Sequence, residues 1–254
     1  MKIMTLNVNG IRSAEKKGFF DYLKHQNCDI ICLQETRAQP SQLCPNTFYP
    51  NGYHSFYHSA SRKGYSGVAI YTKKKPIAWT SKLHLDWADD EGRYLCADFG
   101  NLEVASVYMP SGSHRDDRQT LKYDMMNHIQ ALLKEKSKSD KPLILCGDIN
   151  IAHTKKDIKN WRSNQKNSGF LPQEREWMDN IFSADYIDAF RQINNNSDEY
   201  TWWSNRGQAW KNNVGWRIDY QIASQALSDK ITTAYIDKSQ RFSDHSPTII
   251  EYNF

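Results

Sequence analysis

A chain of 254 residues, 39% hydrophobic and without a Pro-, Gly- or Ser-rich linker, has the length of one large domain. It can bury about 70 to 75% of the surface its unfolded form exposes, so stability demands neither disulfides nor a structural metal. Five cysteines without a C-x-x-C pair fit reduced thiols and a cytoplasmic protein, and no leader or run of about 18 apolar residues points to export or a membrane; the net charge of +4 suits a polyanion partner but does not establish one.

Residues 2–8 predict a first strand, closing on Asn7 and Asn9, and residues 16–25 an amphipathic helix. The almost wholly apolar strand 29–33 then delivers Glu35 to the end of a buried sheet, where an unpaired carboxylate would be costly. Strands at 53–57, 67–71, 93–99 and 102–108 follow, the last ending on Tyr108. Leu121, Met125, Ile129, Leu132 and Leu133 recur at helical spacing and predict a helix over 119–136. After a strand at 142–146, Gly147 turns the chain into Asp148 and Asn150, whose i, i+2 spacing lets both point one way. Pro172 suits the first turn of a helix over 173–183, and strands at 217–223, 231–236 and 247–252 complete the chain. Each half opens with a β-run that ends in a polar signature. The expected architecture is therefore α/β: one domain, residues 1–254, with two similar sheets face to face and helices outside.

Those polar signatures carry the chemistry. Carboxylate and amide oxygens without His- or Cys-rich zinc spacing make Glu35, Asn7, Asn9 and Asp244 a candidate Mg²⁺ or Mn²⁺ site, although a strand-end Glu taken alone reads equally as an ion-paired carboxylate. His245 differs from a routine surface histidine because Asp219 can bond one ring nitrogen, raise its pKa and leave the other nitrogen for a phosphoryl oxygen. Asp148 suits a base for an attacking water that Asn150 aligns; an Asx-type turn is the competing reading. Tyr108 offers a phenol hydrogen bond, or simply packs.

Seven segments together give a more specific reading: Leu6-Asn7-Val8-Asn9-Gly10-Ile11-Arg12, Leu33-Gln34-Glu35-Thr36, Val107-Tyr108-Met109-Pro110, Gly147-Asp148-Ile149-Asn150, Phe170-Leu171-Pro172-Gln173-Glu174-Arg175, Asn213-Val214-Gly215-Trp216-Arg217-Ile218-Asp219-Tyr220 and Ser243-Asp244-His245-Ser246-Pro247. In this order they resemble the exonuclease III class of apurinic/apyrimidinic endonucleases, within the endonuclease/exonuclease/phosphatase superfamily, over essentially the whole chain. The resemblance implies a four-layer α/β/β/α sandwich with two mostly antiparallel sheets, and Mg²⁺ near Glu35, Asn7 and Asp244. It implies water activation by Asp148 and a His245–Asp219 pair. The implied reaction is metal-dependent cleavage of double-stranded DNA on the 5′ side of an abasic site, leaving a 3′ hydroxyl, with 3′ to 5′ exonuclease activity and trimming of blocked 3′ ends. Trp202, Trp216 and Ile218 would line a recess for a flipped sugar lacking its base. Asn9, Arg12, Ser111 and His114 would contact DNA, and a monomer is expected.

Three positions depart from well-studied members: Ser111 stands for an Asn, His114 for a wedge Arg, and Asn9 for an Asp. Basic segments at 61–65, 73–75 and 155–156 are candidate phosphate contacts or solvated surface. Two other readings remain at this stage. A phosphatase of inositol lipids or sphingomyelin would show a membrane-facing apolar or polybasic element, and a non-catalytic nucleic-acid-binding module would lack Glu35, Asp148 or His245.

Overall fold

The computed structural model describes residues 1–112, 116–183 and 185–254. Two six-stranded sheets stack face to face. The first runs in the order Ile231–Ile236, Thr248–Tyr252, Lys2–Asn7, Ile30–Gln34, Val68–Thr72, His54–His58. The second runs Ala78–Thr80, Tyr94–Asp98, Glu103–Tyr108, Leu143–Asp148, Asp219–Ser224, Tyr186–Asp188. Each is antiparallel except for one parallel pair, Lys2–Asn7 with Ile30–Gln34 and Glu103–Tyr108 with Leu143–Asp148. The four-layer sandwich expected from the sequence is what forms.

Alternation along the strands dictates the layers. Ile3, Ile30, Cys32, Val104, Ile144, Cys146 and Ala223 point between the sheets. Their neighbours point outward. Met4, Leu6, Ile31 and Leu33 pack with Phe19, Leu23 and Phe48 of the helices on one side. Ala105, Val107, Leu145 and Ile222 meet Met125, Ile129, Leu133, Trp177 and Met178 of helices Asp116–Lys136 and Pro172–Phe182 on the other. The same parity places Asn7, Gln34, Asp148 and Asp219 on the inter-sheet face at the strand ends. Asp219 pairs in register with Asp148, and Asp148 with Tyr108.

Most predicted boundaries shift by a residue or more, and three of the shifts have a clear local reason. The helix expected over 16–25 begins only at Phe19 and runs to Gln26, because Gly18 adopts a left-handed conformation (φ 84°) that separates it from a further short helix, Ile11–Glu15. The strand expected to stop at Cys146 continues to Asp148, because Gly147 packs so closely on the neighbouring strand that a Cβ there would lie 1.9 Å from the Val107 carbonyl oxygen. The strand expected from Arg217 begins at Asp219, since the amides of Arg217 and Ile218 bond the Asp157 carbonyl and Thr201 Oγ1 instead of a strand neighbour. The ribbon of Trp202–Trp203 with Gly215–Trp216 is too short for any periodicity to announce it. It docks on the loop before Thr248–Tyr252, with the Trp203 amide on the Asp244 carbonyl and the Ser246 amide on that of Thr201.

Candidate active site

Where the parallel strands of both sheets end, a cavity of about 790 Å³ opens between them. Asn7, Asn9, Glu35, Tyr108, Ser111, Asp148, Asn150, Trp202, Trp216, Ile218, Asp244 and His245, all expected from the sequence, line it. Asp219 lies just beneath, fully buried. Arg12 does not reach the cavity; it is exposed and lines a neighbouring depression with Lys16 and Arg37. His114 lies outside the described residues.

The chain positions these groups by strain as well as by strands. Asn9 (φ 45°), Glu35 (φ 51°) and Asn150 (φ 57°) all adopt left-handed backbone just past a strand end. Asn tolerates this region; Glu does so at a cost of order 1 kcal/mol, a conformation that persists where surrounding bonds hold it. Here those bonds run from the Gly10 amide to the Glu35 carbonyl and from the Thr36 amide to that of Gly67. The Asn150 amide in turn donates to Asp148 Oδ1 at 2.9 Å, and Asn150 Nδ2 to the Met109 carbonyl at 2.8 Å.

Asp148, nearly inaccessible, accepts on Oδ2 from Asn7 Nδ2 at 2.9 Å and lies 3.9 Å from His245 Nε2. Burial, reinforced by Asp219, pushes its carboxyl up to about 8. His245 Nδ1 bonds Asp219 Oδ2 at 2.9 Å. Burial alone would pull the ring down, but Asp219, Asp148 and Asp244 outweigh it and raise the imidazole to about 10. Glu35 Oε1 accepts from the Tyr108 hydroxyl at 2.5 Å and from Arg37 at 2.9 Å. The phenol is held well above its ordinary value by burial and by Glu35, so it remains a neutral donor. Asp244 accepts from Asn9 Nδ2 at 2.8 Å and from Trp202 Nε1 at 3.0 Å.

A cation finds hard oxygen donors here and no thiol. Asp219 Oδ1 is buried without a hydrogen-bond partner, and the ligand atoms of Asp148, Asp219 and His245 lie within 4.8 Å of one another. Glu35 and Asp244 line the same cavity outside that tight cluster, and Asn7 touches it through its bond to Asp148. Among the described residues, the bonds to Glu35 from Tyr108 and Arg37 both fall on Oε1.

Beside the acidic end the wall is apolar. Trp202 and Trp216 meet edge to face at 6.2 Å and pack on Ile218, Phe170 and Ile158. Arg217, between two cavity residues in sequence, points the other way into a buried ion network, at 2.7 Å from Asp157 and 2.6 Å from Asp188. Arg37, Lys166 and Arg206 also line the cavity. They sit in loops with no periodicity and no motif, so only the folded chain reveals them. Of the basic segments, 61–65 contributes Gly64 to the depression beside Arg37. Lys73 bonds Asn27 and Asp29 at the start of the Ile30–Gln34 strand, the end remote from Glu35. Lys155 and Lys156 line a different recess with Arg175 and Arg191.

The chain is similar to known nucleases in sequence and in fold. The chain is 37% identical to an exodeoxyribonuclease of Bacillus subtilis (strain 168), with both chains covered in full. It is also 37% identical to a DNA-(apurinic or apyrimidinic site) endonuclease of Dictyostelium discoideum, across 97% of this chain and 69% of that one. Among solved structures, an AP endonuclease from Archaeoglobus fulgidus superposes with a TM-score of 0.89 at 26% identity, and a 3′-5′ exonuclease from Neisseria meningitidis with 0.91 at 25%, each covering both chains completely. The model of the Endonuclease/Exonuclease/phosphatase family matches residues 4–245, from the first strand to the buried histidine, and the chain belongs to that family.

Proposed function

We propose that the chain is a DNA repair nuclease, folded as one catalytic domain, that hydrolyses the phosphodiester on the 5′ side of an abasic site to leave a 3′ hydroxyl, and that also trims 3′ ends. The observation that carries this reading is the pairing of an acidic, histidine-bearing end with the apolar Trp202–Trp216–Ile218 wall in one cavity. Such a wall suits a deoxyribose extruded without its base, while an intact nucleotide brings a base that must be accommodated. Its relatives' names point the same way, to exodeoxyribonuclease and to abasic-site endonuclease.

Glu35, Asn7 and Asp244 would hold Mg²⁺ or Mn²⁺, with Asp219 Oδ1 as a further buried oxygen. Bound there, the cation would neutralise charge on the phosphoryl oxygens. His245 keeps a proton on each ring nitrogen, one bonded to Asp219 and the other free to donate to a non-bridging oxygen. Asp148, its Oδ1 fixed by the Asn150 amide, takes once ionised the proton of the attacking water, which Asn150 Oδ1 would align while Nδ2 stays on the Met109 carbonyl. The Tyr108 hydroxyl donates its one proton to Glu35 and so orients that carboxylate beside the phosphate. Arg37, Lys166 and Arg206 bind flanking phosphates. Among the described residues no helix is long and apolar enough to cross a membrane.

The test is incision of an end-labelled duplex carrying one stable abasic analogue, beside an intact duplex of the same sequence. Cleavage one phosphate 5′ to the analogue, with a product that a polymerase extends, is expected. Equal cleavage of both duplexes, or ends that cannot be extended, would sink the reading.

A further inference from the structure

On the buried face of helix Asp116–Lys136, where Met125, Met126, Ile129 and Leu133 set an apolar stripe, one position is a lysine. Lys122 is completely buried, and its Nζ lies 2.6 Å from Glu174 Oε1, equally buried, on helix Pro172–Phe182. It also donates to the Asn150 carbonyl at 2.8 Å. Glu174 Oε2 accepts the amides of Gly169 at 2.7 Å and Leu171 at 3.0 Å, and Oε1 the Ser168 hydroxyl at 3.3 Å. The single Ser168 proton is shared with the nearer Ser111 carbonyl, at 2.8 Å. One ion pair thus ties together three parts of the cavity wall that arise far apart in sequence: Asn150, the 166–169 loop and Ser111.

A buried ion pair is a poor device for stability, because well-packed apolar side chains of similar volume do as well or better. It is a good device for direction. Bonds from Lys122 to the Asn150 carbonyl and from Gln119, Ser168, Gly169 and Leu171 to Glu174 converge on two charged groups carried by two helices, and the bond to the Asn150 carbonyl falls on a residue held in left-handed backbone. The fit above it is tight: a Cβ on Gly169 would approach the Asn150 carbonyl oxygen to 3.0 Å and the Trp216 ring to 2.9 Å. A shift of the loop therefore moves both Asn150 and the apolar wall.

We propose that Lys122 and Glu174 form a positioning pair that sets the Asn150 side chain and the 166–169 wall for the transition state, so that they govern turnover more than DNA affinity. This rests on the hydrolase reading above. Neither group touches substrate; both act through Asn150 and the loop.

The experiment compares Lys122→Met/Glu174→Gln, Lys122→Arg and wild type for kcat, KM and melting temperature on the abasic-analogue duplex. The double variant removes both charges together and leaves neither stranded. It should melt near wild type, keep KM within about twofold and lose about 10- to 100-fold in kcat, the scale expected when a reacting group is misplaced by a fraction of an ångström to an ångström. Lys122→Arg, which keeps the charge, should recover part of the rate. Wild-type kcat in the double variant would overturn the proposal. So would a collapse of melting temperature, which would make the pair a plain stability element, or a loss confined to KM. If wild type itself does not cleave the duplex, the hydrolase reading fails instead, and the two failures are distinguishable.

Discussion

At the scale of single residues, the chemistry turns on two neighbouring groups pushed upward in pKa for different reasons. Burial beside Asp219 drives Asp148 to about 8, so its base form grows in as pH rises; the carboxylates around His245 raise it to about 10, so its cationic form is lost only above that. The pair titrates as a unit and implies a bell-shaped pH profile of kcat/KM whose rising limb lies above the ordinary carboxylate range. Asp219→Asn removes the charge that holds the imidazolium, so the alkaline limb should move to lower pH and the rate at neutral pH should fall about 10²- to 10³-fold. A profile whose alkaline limb does not move in that variant would remove His245 from its proposed role. Most of these residues were legible because each sits in a short polar run abutting an apolar strand. The candidate cation ligands were legible by type. That Asp148, Asp219 and His245 converge comes from the register of two distant strands and a loop, which no local spacing announces.

Among elements, two buried polar systems do what apolar packing cannot. Between the sheets, Gln34 donates to Ser106 Oγ at 2.9 Å, Ser106 to the Leu33 carbonyl at 3.0 Å, and Gln221 to the Ile3 carbonyl at 3.0 Å. This seam cross-links the sheets and fixes how far one can slide on the other, which brings Asn7 of the first to within 2.9 Å of Asp148 in the second. Behind the tryptophan wall, Asp157 accepts from both Arg217 and Arg191, while Arg217 also grips Asp188. Burial would raise the Asp157 carboxyl, but the two guanidinium groups outweigh it and hold it well below the ordinary range. Its folded-state pKa is depressed, so its contribution to stability is present above about pH 4 and is lost as pH falls below that. Asp157→Asn should therefore cost about 3 to 5 kcal/mol at pH 7, by stranding buried positive charge, and much less at low pH. Urea melts of both proteins across that range measure it; an equal cost at every pH would contradict the account.

Taken whole, the molecule is two half-sandwiches whose parallel strand pairs end at the same edge, so that loops from both sheets share one cavity. Alternation made the strands and their buried faces legible, and the repeated opening signature made two stacked sheets legible. Strand order and the parallel pairs were not, because pairing between distant segments leaves no mark on local periodicity. The net charge of +4 is modest, yet Arg37, Lys166 and Arg206 gather at the cavity mouth. Association should accordingly weaken with salt, and replacing Lys166 and Arg206 by Ala should raise KM and flatten a plot of log KM against log salt concentration by about one phosphate contact per residue removed. An unchanged slope would place the DNA elsewhere. The central claim, water activation by Asp148 in a metal-dependent strand-end cavity, is tested most directly by single-turnover cleavage of the abasic-analogue duplex with Mg²⁺, with EDTA, and with Asp148→Ala in Mg²⁺. Rapid incision in the first case and its loss in the other two is the predicted result; cleavage that survives EDTA, or that Asp148→Ala performs at the wild-type rate, would contradict it.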